Sequence, residues 1–180
     1  MKRAFTLIEL LVVIAIIAVL AAIVAPNAFR AIEKAKISAT IADARSIRTG
    51  AMAYYADTGT WPVMTVGANN PPCTVVPGFI ATDGRPNWDG PYLEKWPATA
   101  KWGGCYQWCV VTNATIGWCG LWDTDLQQER YIRISNVPLP SAQRIDQEVD
   151  GAINAAAGNV RYGYRGAVPM ETLHILASED

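Results

Sequence analysis

From Leu7 to Ala25 the chain has 19 residues, and 18 of them are apolar; the exception is Glu9. A helix of that length and composition crosses the ~30 Å hydrocarbon layer of a bilayer. Beyond Pro26 the solid apolar run becomes a stripe. Phe29, Ile32, Ile37, Ile41, Ala44, Ile47, Ala51 and Tyr55 recur three to five residues apart. Arg30, Glu33, Lys34, Lys36, Asp43, Arg45 and Arg48 fall largely off that stripe, as on the solvated face of an amphipathic helix. Few breakers intervene before Asp57–Gly59, so the pattern predicts one helix from Phe5 to Ala56. Pro26 removes one backbone hydrogen bond inside it and bends or loosens the helix, at ~3 kcal/mol in a rigid context.

After the helix the alternation shortens. Proline and glycine crowd residues 62–97 and leave room only for short elements. "CYQWCVVTNATIGWCGLWD" has strand composition on both sides of a turn at Asn113–Gly117, which predicts a hairpin. "RYIRIS" at 130–135 is a further strand, with Tyr131, Arg133 and Ser135 on one face and Ile132 and Ile134 on the other. "PSAQRIDQEVDG" predicts a short helix capped near Ser141, and "NVRYGYRG" and "METLHILAS" supply two closing strands. The expected class is α+β: a long N-terminal helix packed against a small antiparallel sheet.

Composition narrows the class. At 180 residues there is room for one domain with an appendage. Net charge is −1 with a single histidine, so global charge by itself points to no nucleic-acid or acidic partner, and no nucleic acid is expected. All 4 cysteines, 7 tryptophans and 7 tyrosines lie between Tyr54 and Tyr164, enough for a small core that disulfides could staple after export.

Glu9 then becomes the question, because a carboxylate inside a membrane segment costs roughly 2.5–3.5 kcal/mol and marks a functional site by default. Lys2 and Arg3 leave the start of the chain on the cytoplasmic side. An ordinary secretory signal cut near Ala22–Ala25 explains neither Glu9 nor the length, and it places Pro26 just after the cut. A plain membrane anchor explains the length but not the acid.

A third reading explains both. "KRAFTLIELLVVIAIIAVLAAIVAP" closely resembles, from Arg3 to Pro26, the class III leader and N-terminal helix of type IV pilins and type II secretion pseudopilins. The resemblance implies that a prepilin peptidase cuts between Ala4 and Phe5 and N-methylates Phe5; the family usually has glycine where Ala4 stands, an equally small residue. It implies that Glu9 pairs with the Phe5 amine of a neighbouring subunit, fixing register as buried charges do. It makes Pro26 a family trait at a stretch that loosens during assembly. "YADTGTWP" and "GPYLEKWPATAKWGGCYQW" resemble the helix exit and sheet entrance of the major pseudopilin. The implied organisation is a leader at 1–4, a membrane or filament-core half-helix at 5–25, an amphipathic half at 26–56 and a disulfide-bonded head at 57–180. The implied partners are copies of the same chain, the peptidase, and an inner-membrane platform with its ATPase. The implied location is the inner membrane first, as a single pass, then an extracellular or periplasmic filament.

Other chemistry is sparse. Cys73, Cys105, Cys109 and Cys119 allow three disulfide connectivities. Cys105 and Cys109 share a strand face, so each is expected to pair elsewhere, with Cys73 and Cys119 as candidates. Gaps of 3 and 9 residues fit no common zinc finger. No P-loop, nucleophile elbow or histidine pair occurs, His174 reads as a strand residue, and the chain is not expected to be an enzyme. Asp146, Glu148 and Asp150, or Asp123 with Asp125, are weak calcium candidates whose default is solvation; otherwise no cofactor is expected. "NAT" at 113–115 reads as a turn before a glycosylation site. The expected function is a structural subunit polymerising through its helix into a type IV pilus or type II pseudopilus. The alternatives are a minor pilin whose head binds a surface, DNA or a secreted substrate, and a soluble protein released by ordinary signal cleavage.

Overall fold

The structure is a computed structural model that describes residues 6–63, 77–97, 99–110, 130–155, 158–163 and 172–178. Its elements are α1 (Leu7–Thr58), β1 (Tyr106–Val110), β2 (Arg130–Ser135), α2 (Leu139–Val149), β3 (Val160–Gly163) and β4 (Thr172–Ser178). The chain divides into two compact units, Met1–Lys36 and Ile37–Asp180. The class is α+β and pilin-like, with a long N-terminal helix and a four-stranded antiparallel sheet.

In the first unit α1 carries bare apolar surface: Leu7, Ile8 and Ile23 are among the large side chains left exposed. The helix continues through Pro26. In the second unit one face of α1 is covered. Ile37, Ile41, Ala44, Ile47 and Ala51 join a single buried cluster with Trp108, Ile132, Ile134, Leu173 and Ile175 of the sheet. The predicted stripe therefore holds over its middle and fails at its ends. Phe29, Ile32 and Tyr55 are 71%, 53% and 43% exposed, while Thr40 and Tyr54 are fully buried. Tyr54 lies three residues after Ala51 and seven after Ile47, in step with the 3.6-residue turn; Tyr55 has drifted off that face.

The sheet runs in the order β1-β2-β4-β3. Trp108 faces Ile132, Ile132 faces Ile175 and Ile175 faces Val160, so one apolar row crosses all four strands. The next row is polar: Gln107, Arg133, His174 and Arg161. Alternating rows are what a sheet with one face on a core requires. The second half of the predicted hairpin lies outside the described residues; among them β1 pairs with β2. The short helix starts earlier than Ser141. Pro138 is its N-cap, its carbonyl accepts the amides of Ser141 and Ala142 at 2.9 Å each, and Ser141 is buried in the first turn. Prolines with a preset φ serve at a helix start without a side-chain cap.

Polar contacts seat α1 on the rest of its unit. The Tyr106 hydroxyl donates to Asp43 Oδ2 at 2.9 Å, and Lys101 Nζ lies 3.0 Å from the same oxygen. Farther along, Tyr54 donates to Asp83 at 2.6 Å and Tyr92 to Asp57 at 2.8 Å. Gly50 lets the backbone of Tyr92 approach the helix: a Cβ there would lie 3.1 Å from the Tyr92 carbonyl oxygen. The β1–β2 corner is tighter still, since a Cβ on Gly104 would lie 1.9 Å from the Ser135 carbonyl oxygen.

Candidate assembly site

The helix begins in a way the apolar pattern alone does not reveal. Thr6 precedes the first helical residue, Leu7, and Glu9 stands three residues after it. The Thr6 amide donates to Glu9 Oε2 at 2.8 Å, the Thr6 hydroxyl donates to the same oxygen at 2.6 Å, and the Glu9 amide donates to Thr6 Oγ1 at 3.3 Å. This is a capping box, in which two amides left over at a helix start are satisfied reciprocally. The T-x-x-E spacing was the available signal. Among the described residues, Glu9 makes hydrogen bonds only with Thr6 and forms no ion pair.

The acid therefore sits in the first turn of a helix whose next four turns are apolar on every side. This is the described helix long and apolar enough to cross a membrane, and the qualifying stretch has none of its surface buried. Such a surface needs lipid or other helices around it.

A second feature of α1 lies outside its apolar stripe. Ala28, Ala35, Ala42, Thr49 and Ala56 recur every seven residues, with Ser46 and Ala53 beside them, and all are exposed. Small residues at this spacing let another helix approach closely. Charged side chains border this face: Asp43 and Arg45 line one groove with Ser46, Thr49 and Ala53. Asp43, predicted as part of a solvated face, is instead held by Tyr106 and Lys101.

Ala4 and Phe5, where processing was predicted, lie outside the described residues, as do Cys73, Cys119, Asp123, Asp125 and the 113–115 sequon. Cys105 and Cys109 are both buried, Cys109 within β1 and Cys105 just before it.

The three acids of α2 and its exit do different work. Asp146 is fully buried and its Oδ2 accepts the Asn154 amide at 2.7 Å. Burial pushes its carboxyl above the usual range, against that hydrogen bond. Asp150 accepts the Val160 amide at 2.8 Å and the Asn159 side-chain amide at 2.9 Å. Glu148 is exposed. Asp146 and Asp150 thus brace the loop between α2 and β3, and no group of three or more potential metal ligands forms among the described residues. His174 is a buried residue of β4, opposite Arg133 on one side and Arg161 on the other, with its ring 4.9 Å from that of Tyr131. Burial, and then the two arginines, hold it down to about 4.

Two family models match. Residues 1–25 match the prokaryotic N-terminal methylation motif, the class III prepilin leader, and residues 31–117 match "PilW, C-terminal". No curated protein and no solved structure matches the chain.

Proposed function

We propose that this type IV pilin-like protein is a structural subunit that polymerises through its N-terminal helix. The two matched families support a structural role, and the leader and apolar helix are consistent with insertion in the inner membrane. The observation that carries the reading is Glu9: one carboxylate in an otherwise apolar stretch of 19 residues, held within its own chain by Thr6.

The resemblance to the pilin leader and helix supplies the sequence of events in this reading. The prepilin peptidase cleaves between Ala4 and Phe5 and methylates the new amine, which stays cationic. A platform and ATPase lift the subunit, and its Phe5 amine meets Glu9 of a neighbour. A charge taken out of water alone is costly, and a pair recovers much of that cost, so one axial offset is favoured over all others. The exposed Ala28–Ala56 face supports close packing between the amphipathic halves. The N-terminal and PilW matches favour a pilin-family filament; the head, residues 57–180 in this reading, decorates its outside. No cofactor enters the scheme.

N-terminal sequencing of the mature protein, with electron microscopy of sheared surface material, tests it. Methyl-Phe5 at the start and filaments containing the chain are the expected results. A start after Ala25, or an intact leader in the polymer, would overturn the reading.

A further inference from the structure

Between α1, the sheet and the end of α2 lies a cavity of about 240 Å³. Its floor is aliphatic: Ile41 and Ala44 from α1, Ile132 from β2 and Ile175 from β4, all buried. Arg45 and Arg48 also line it. They are three residues apart on α1, hence neighbours on one helix face. Both are exposed, and neither has an ion pair among the described residues.

Size and charge select the occupant. Pockets for drug-sized ligands and cofactors run from about 300 to 1,000 Å³, and this cavity is smaller. It has room for about one or two aliphatic side chains and too little for the acyl chain of a lipid. Guanidinium forks match carboxylates in geometry and charge. The larger groove on the other side of Arg45, about 560 Å³, is lined by Asp43, Glu94 and Lys95 as well and so selects no sign of charge.

We propose that the smaller cavity docks an acidic polypeptide segment of a partner protein. An aliphatic side chain fills the floor over Ile41 and Ile175, and flanking carboxylates meet Arg45 and Arg48. The contact uses neither Glu9 nor the apolar half of α1.

The test uses the full chain in detergent micelles and three fluorescent hexapeptides, measured by anisotropy. Asp-Glu-Ile-Leu-Asp-Glu is expected to bind saturably. Asp-Glu-Ser-Ser-Asp-Glu, which keeps the charge and lacks the anchor, and Lys-Lys-Ile-Leu-Lys-Lys are each expected to bind at least about tenfold more weakly. The R45Q/R48Q variant should weaken the first peptide by a similar factor, and inorganic phosphate at equal concentration should not displace it. No saturable binding of the first peptide, equal binding of the two acidic peptides, an unchanged variant or displacement by phosphate would each overturn the proposal. The peptide comparison stands on the wild-type protein alone, so the result survives a variant that fails to fold.

Discussion

The carboxylate of Glu9 turns back onto Thr6, taking both the amide and the hydroxyl of that residue on one oxygen. The contact gives Glu9 a part in starting the helix, which needs only a hydrogen-bond acceptor; the proposed pairing with a neighbour's amine is separable from it, because that needs a negative charge.

Substitution distinguishes the two. Glu9→Gln retains a capping-box acceptor but loses the charge, while Glu9→Val loses both. Both variants should insert and be cleaved between Ala4 and Phe5, and both should polymerise poorly in a filament-yield assay. If Glu9→Gln forms filaments like the wild type while Glu9→Val does not, capping is the role of this acid and the pairing mechanism fails.

Asp43 should matter more than its place on a charged helix segment implies. Asp43→Ala leaves the fully buried Tyr106 without the acceptor its hydroxyl uses, at a cost of about 1–3 kcal/mol. Lys101→Ala breaks only the partly exposed ion pair to the same oxygen and should cost below about 1 kcal/mol. Denaturant unfolding of the two variants, compared with the wild type, checks the ordering.

Acid should destabilise the sheet through His174. The folded protein holds this imidazole down to about 4, below its ordinary value near 6.5, so the neutral form is the one the fold favours. Its contribution is full above pH 6.5 and is lost as pH falls from there through 4, up to about 3 kcal/mol in all. Asp146 acts with the opposite sign: its raised carboxyl favours the fold at low pH and loses that contribution as pH rises. His174→Leu removes only the first effect. Unfolding between pH 7 and 4 should therefore show a shallower acid limb in this variant, and an unchanged limb would remove His174 from the account.

The β1–β2 corner should reject any side chain at Gly104. Alanine there would collide with the Ser135 carbonyl, so Gly104→Ala should cost more than about 3 kcal/mol or prevent folding. Its neighbour Gly103, with φ 86° and open space around it, should cost only about 1 kcal/mol when changed to alanine. Thermal unfolding of the pair separates collision from backbone strain.

Much of the fold was legible because periodicity reports burial. Ile37, Ile41, Ala44, Ile47 and Ala51 were found by helical spacing, and the faces of β2 by strict alternation. Where the stripe misled, the cause was tertiary. A helix long enough to present Phe29 and Ile32 carries no sign of where its cover stops, and Tyr54 and Tyr55, about 100° apart on the helix, flank the stripe so that only the position of the cover chooses between them. Pairing of β1 with β2 links residues 20 to 28 positions apart, which no local pattern encodes. At the site, Glu9 stood out against its apolar surroundings, but Thr6 did not, since one threonine at a helix start is ordinary until its partner three residues later is counted. Asp43 was hidden among other charges, as its role depends on Tyr106 from a distant strand.

The seating of α1 also sets where the protein can give way under load. From Ile37 to Thr58 the helix is pinned by Tyr106, Asp83, Tyr92 and the backbone packed over Gly50, whereas none of the described residues braces Pro26 in this way. A pull along the rod should therefore be absorbed upstream as lost helical turns near the proline, leaving the sheet unstretched. Elasticity and surface chemistry are thereby assigned to different stretches of one chain, and each can vary without disturbing the other.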